Sequence, residues 1–109
     1  MMHVTYDGKS VLMGDDAATL LMEYAAELGT RNAADVVNIE AVNIDGNSLT
    51  VAYLLNGSSE LTAETTTATL EVPGSEEAVA YMRERIELLR NPPPAQPYID
   101  DAPDTALDI

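Results

Sequence analysis

The chain contains no cysteine, tryptophan or phenylalanine, and a single lysine and a single histidine among its 109 residues. Without cysteine, neither a disulfide framework nor a thiolate metal site can form. Tyrosine is the one aromatic type, so Leu, Ile, Val, Met and Ala have to fill the interior. Positive charge is scarce as well: 5 Lys and Arg stand against 19 Asp and Glu, a net of −14. Phosphate backbones and anionic lipid surfaces are bound chiefly through Lys and Arg, so this balance argues against nucleic acid and membrane as partners. No window approaches the length of a membrane span, and residues 1–10 lack the basic head and apolar run of a signal peptide. The expected location is cytoplasmic.

What is present begins with a hairpin. Met2, Val4 and Tyr6 alternate with His3 and Thr5, Asp7-Gly8 follows, and Val11 and Met13 resume the alternation. A two-residue turn with positive φ at both positions suits Asp-Gly and pairs Tyr6 with Lys9, Val4 with Val11 and Met2 with Met13. Gly14 ends the strand, and Asp15 or Asp16 is placed to cap a helix reaching about Leu28, with Gly29 as its left-handed stop. Ala17, Leu20, Leu21, Tyr24 and Leu28 form the apolar stripe of that helix.

Residues 36–72 read as a three-stranded antiparallel meander. Treating Asp45-Gly46 as a second two-residue turn pairs Ile44 with Asn47 and Val42 with Leu49. One face then collects Val36, Val42, Ile44, Leu49, Val51 and Tyr53, and an odd-length loop at Asn56-Gly57 keeps Leu61 and Ala63 on it. In that register Val37, Ile39 and Leu54 point to the opposite face, where an isolated two-layer domain would leave them in water. Ala68, Leu70 and Val72 share that second-face parity unless a bulge in the Thr65–Thr67 run turns them inward.

Pro73-Gly74 closes the strand region, and Ser75 is placed to cap a second helix with Glu76 and Glu77 at its positive end. Val79, Met82, Ile86 and Leu89 mark its buried side, and Pro92-Pro93-Pro94 ends it. The order ββαβββα predicts a two-layer α+β sandwich, a five-stranded, mainly antiparallel sheet with two helices on one face. Residues 1–91 form the domain. Residues 92–109 carry five prolines, four aspartates and no basic residue, and read as a disordered acidic tail.

No residue set completes a catalytic, metal or cofactor pattern. His3 has no nucleophile at a recognisable spacing, and the pairs Asp15-Asp16 and Glu76-Glu77 fall where helix starts favour acids. The string Asn43–Asn47 lacks the alternating acids and terminal glutamate of a calcium loop. Arg83, Arg85 and Arg90 are the one cluster of positive charge, matched by Glu84, Glu87 and the helix dipole. Pro94-Ala95-Gln96-Pro97 has the PxxP spacing of an extended-peptide ligand. These features point to a non-enzymatic, acidic protein-binding or assembly module that uses its open sheet face and its tail. Val37, Ile39, Leu54, Tyr98 and Ile99 are the candidate contacts. The expected partner is a protein, basic in character, or a second copy forming a homodimer. The alternative is an acidic inhibitor or antitoxin-like protein that blocks a basic site. The body through Asn91 holds 15 acids and 5 bases, a net of −10, so its self-repulsion weakens as salt screens it. Thermal melts at low and moderate salt check this: the midpoint should rise with salt, and a flat response would mean that the acids are already locally compensated.

Overall fold

Two turns built on the same Asp-Gly dipeptide take different conformations, and the difference sets which residues form the core. The computed structural model describes residues 1–94. Strands β1 (Met2–Tyr6) and β2 (Lys9–Met13) are joined by Asp7 and Gly8, at φ 53° and 81°. Both positions are left-handed, as a two-residue hairpin turn requires, and Tyr6 faces Lys9, Val4 faces Val11 and Met2 faces Met13. Strands β3 (Asp35–Val42) and β4 (Ser48–Leu55) also form a hairpin, but there only Gly46, at φ 92°, is left-handed. The Gly46 N–H bonds the Asn43 carbonyl and the Asn43 N–H bonds the Asn47 carbonyl, both at 2.8 Å. This is a three-residue turn ending in a glycine bulge, braced where the Asp45 carboxylate accepts from the Asn47 backbone at 3.0 Å.

The longer turn pairs Val42 with Ser48 and Ala41 with Leu49, one residue away from the register the sequence predicts. A one-residue slip exchanges the two faces. Val37 and Ile39 are therefore core residues, 3% and 0% exposed, and do not line an open face. Val36 takes the outward position, opposite Leu54. Ile44, expected in the core, stands exposed in the turn.

Helix α1 spans Asp15–Thr30 and α2 spans Glu76–Arg90, completing the α+β order ββαβββα. Gly14, without a side-chain cap, precedes α1, and Asp15 and Asp16 occupy its first turn. The helix passes through Gly29 and stops at Asn32, φ 56°, where the Ala33 N–H reaches the Leu28 carbonyl and the Asn32 N–H reaches that of Gly29. Gly29 lies inside the helix and is not its left-handed stop; it faces Gly57 of the loop that follows β4. Ser75 begins α2, but its hydroxyl donates to the Glu40 carbonyl at 2.9 Å and makes no cap bond of its own.

The last strand, β5 (Leu61–Thr65), leaves the expected meander. It pairs with β1 and not with β4, giving the fully antiparallel order β4-β3-β2-β1-β5. Leu61 and Ala63 nevertheless pack against the core as their parity requires. Five residues, 56–60, thus connect the two outer strands. In a flat sheet those strands would lie about 19 Å apart, close to the limit of a fully stretched link of that length. The link is not stretched, since it turns back with Ser59 N–H on the Asn56 carbonyl at 3.2 Å. The sheet is therefore rolled. Tyr6 on β1 touches β4 directly, its ring 5.5 Å from that of Tyr53 and its hydroxyl donating to the Leu54 carbonyl at 2.7 Å.

The roll bends where β2 meets β3 through the single pair Leu12–Val42. Beyond it the two strands part, and α2 lies along the released edge of β3. Ser75 ties that helix to the Glu40 carbonyl, which points away from β4 in this register. Leu12 and Val42 have outer-face parity yet are only 3% exposed. The connector 66–74 passes this corner: Glu71, Val72 and Pro73 line a groove with Val42 and Ser48. The second face is thus buried at one corner, and among the described residues no strand follows Thr65. Tyr98 and Ile99 lie outside the described residues.

The interior joins Val4, Val11 and Met13 from the first hairpin to Val37, Ile39, Tyr53 and Leu55 from the second, closed by Leu21, Tyr24, Met82 and Ile86 of the helices. Truncation tests the register directly. Ile39→Ala should lose about 2–5 kcal/mol in urea unfolding, as a buried large-to-small change does, whereas Val36→Ala should stay within about 0.5 kcal/mol. The reverse order would restore the two-residue turn.

Candidate functional site

Three of the four arginines pair with acids of α1, and two of them tie α2 to it. Arg90 of α2 reaches Glu27 at 2.7 Å and Glu23 at 3.3 Å across to α1. Arg31 also pairs with Glu27 and donates to the Leu89 carbonyl at 2.8 Å, closing the ends of both helices together. The Arg90 hydrogen bond, ahead of the charges of Arg90 and Arg31, holds the Glu27 carboxyl below the ordinary carboxylate range. Arg83 stands 3.8 Å from Asp16. Arg83 and Arg90 of the predicted cluster thus clamp the two helices together.

Asp35, at the start of β3, is the hub of a second junction. Its Oδ2 accepts from the hydroxyls of Tyr24 and Tyr81, each at 2.5 Å, and its Oδ1 from the Val36 N–H at 2.8 Å. The two rings meet edge to face at 6.4 Å. Burial pushes the Asp35 carboxyl up, but the two hydroxyls and the N–H outweigh it, with Arg85 adding its charge, and the group sits below the usual range. Burial and then the Asp35 bond push the Tyr24 phenol far above its ordinary value. A carboxylate held ionised between two neutral phenols accepts both of their hydrogen bonds and has no proton to give near neutral pH. It locks α1, α2 and β3 to one another.

This lock places Tyr81 at the rim of a groove on the outer side of β3. A hollow of about 380 Å³ lies between Asn38, Glu40 and Thr50 of the hairpin and Ser75–Ala78 of α2. It continues into one of about 330 Å³ bounded by Val36, Asn38, Glu77, Ala78 and Tyr81. At the apolar end, Val36 and Leu54 face each other across β3 and β4, 53% and 50% exposed, with the Tyr81 ring 40% exposed beside Val36. At the other end Glu40, Glu76 and Glu77 line the walls. The arrangement can hold an apolar side chain against Val36 and Leu54 while a cation meets the acids.

Of the residues singled out from sequence, Leu54 is on this surface. Val37 and Ile39 are beneath it, in the core. His3 faces Glu64 across β1 and β5, with Nδ1 3.4 Å from the carboxylate and a buried Nε2 that has no partner among the described residues. Asp15 and Asp16 sit in the first turn of α1, and Glu76 and Glu77 in that of α2. Among the described residues no group of three or more His, Cys, Asp or Glu could hold a metal ion, and no helix is long and apolar enough to cross a membrane. Sequence reasoning missed Val36, Glu40 and Tyr81 as neighbours. Compared with known proteins, the chain matches no family model, no curated sequence and no solved structure.

The Asp35 junction generates a pH-dependent expectation. A carboxyl whose pKa is lower folded than unfolded adds stability that is complete above the unfolded value and disappears as pH falls through the folded one. Tyr24→Phe removes one hydrogen bond to this carboxylate and should cost about 1.5–3 kcal/mol at pH 7. The difference from the parent should shrink once the pH drops below the folded pKa of Asp35. Urea unfolding of both proteins at neutral and acid pH measures it, and a pH-independent difference would show that the hydroxyl contributes without the charge.

Proposed function

We propose that this chain is a non-enzymatic protein-binding module whose outer β3–β4 groove takes a basic, amphipathic segment of a partner protein. The observation that carries the reading is the exposed cross-strand pair Val36–Leu54 at one end of a groove walled by Glu40, Glu76 and Glu77 at the other. Half-exposed Val and Leu each have about 1 kcal/mol of burial left to gain, so the apolar end orients a partner but does not hold it alone. The acids supply attraction at a distance and the preference for a basic partner. The same acids weigh against a second copy on this face, since two such grooves would bring like charges together. An acidic inhibitor that occludes a basic site would use the identical surface, and differs only in what the partner loses.

A twelve-residue peptide of alternating lysine and leucine is the probe, titrated by calorimetry at low and physiological salt. The expected result is binding that weakens with salt, severalfold weaker again for Leu54→Ser and for Glu40→Gln with Glu77→Gln. Glu60→Gln with Glu64→Gln, an equal charge change beside and on β5, should leave affinity unchanged. Equal weakening by both glutamine pairs would reduce the interaction to net charge and sink the groove reading. Sedimentation showing a dimer abolished by Leu54→Ser would replace the basic partner by a second copy.

A further inference from the structure

The outer groove does not stop at Glu40. Glu40 and Thr50 also line a third hollow, of about 530 Å³, which runs on to Val42 and Ser48 with Glu71, Val72 and Pro73 beside them. Neighbouring hollows share lining residues, so one trough follows the outer side of β3 from Val36 to Val42. At about 3.3 Å for each residue step, its length is about 20 Å. A single stretch of chain, residues 71–81, supplies the wall: Glu71–Pro73 by Val42, Ser75–Ala78 by Glu40 and Asn38, and Tyr81 by Val36.

The floor is marked at a regular interval. The cross-strand pairs Val36–Leu54, Asn38–Ala52, Glu40–Thr50 and Val42–Ser48 share the outer face, one pair every second residue, about 6.6 Å apart. Ser48, Thr50 and Ala52 are small and exposed, so the backbone of a bound segment can lie close over them. Charge is ordered along the same line. The Val36, Leu54 and Tyr81 end is apolar, Glu40, Glu76 and Glu77 line the middle, and Glu71 stands at the far end. Among the described residues no lysine or arginine lines any of the three hollows, and none of these four acids is in a salt bridge.

On the basis of the binding function proposed above, we infer that the groove takes its partner segment in extended conformation, and that this segment carries an apolar residue with basic residues four and six positions away. Four positions of extended chain cover about 13 Å, the step from Val36 to Glu40, and six reach the level of Val42, beside Glu71. Even spacing keeps all three side chains on the side that faces the floor. A helix does not match these marks. Its turns repeat about every 5.4 Å, so the three floor intervals would face nearly four turns, and the step from the apolar pair to Glu40 would need about eight or nine residues in place of four.

Two sixteen-residue peptides of equal composition test the spacing, titrated into the full chain at low salt and followed by NMR on the β3 and β4 amides. Each carries one leucine and two lysines in an alanine–serine background, and each is made in both chain directions. The lysines stand four and six positions from the leucine in one peptide, and eight and thirteen in the other. The close-spaced peptide should bind at least fivefold more tightly, and Glu71→Gln should weaken it severalfold while Glu60→Gln leaves it unchanged. Equal or tighter binding of the wide-spaced peptide would overturn the extended occupant and leave the basic-segment reading standing. Equal weakening by the two glutamine variants would also overturn it, by reducing the far lysine to an effect of net charge. If neither peptide binds, the inference falls together with the reading on which it rests.

Discussion

A five-residue link between the two outermost strands of a five-stranded sheet is the constraint from which the rest of this structure follows. Residues 56–60, turned back by the Ser59–Asn56 bond, cannot join β4 to β5 unless the sheet curls until its edges approach. Curling in turn requires a place to bend. That place is the β2–β3 junction, reduced to the single pair Leu12–Val42. The released edge of β3 then needs a cover, which α2 provides through Ser75 on Glu40 and Tyr81 on Asp35. The outer groove is one product of this deformation.

Charge follows the same division. Four of the five basic residues are arginines on the helices or at the end of α1, and Arg31, Arg83 and Arg90 join acids of α1. Most of the acids on the strands, turns and outer helix surface are left without partners. A chain of net −14 thereby concentrates its neutralisation where two helices must be held together and leaves the walls of the outer groove anionic.

The first hairpin, both helices and the α+β order were legible because each rests on local chemistry: Asp7-Gly8, an apolar stripe, a proline stop. The second hairpin was misread by applying the same turn rule to Asp45-Gly46. Its own strand held the correction. Turning Val36 inward also turns Asn38 and Glu40 inward, whereas the alternative buries Val37, Ile39 and Ala41, so the parity of β3 outweighs the turn dipeptide. That single slip displaced the candidate site from Val36 to Val37 and Ile39, while Leu54 stayed outward. The pairing of β5 with β1 had no local signal at all. It depends on the roll, and the roll depends on how far β2 and β3 diverge. Tyr81 likewise carries nothing in its own stretch of sequence that announces Asp35 as its partner.

The position of β1 in the strand order has a kinetic side. Its pairing with β2 closes over a two-residue turn, but its pairing with β5 joins Met2 to Thr65. Loop-closure entropy makes the first contact fast and the second slow. The two hairpins can therefore form independently, each with an unpaired edge, well before β5 arrives to complete the sheet. During that interval the uncharged strand β4 and the free side of β1 are both open templates. The late docking of β5, a strand bearing Glu64 and preceded by Glu60, ends the exposure of β1 and places repelling charge on the new edge. For this topology the hazard of misassembly is thus confined to a folding window whose length is set by the time needed to bring residues 61–65 back to the beginning of the chain.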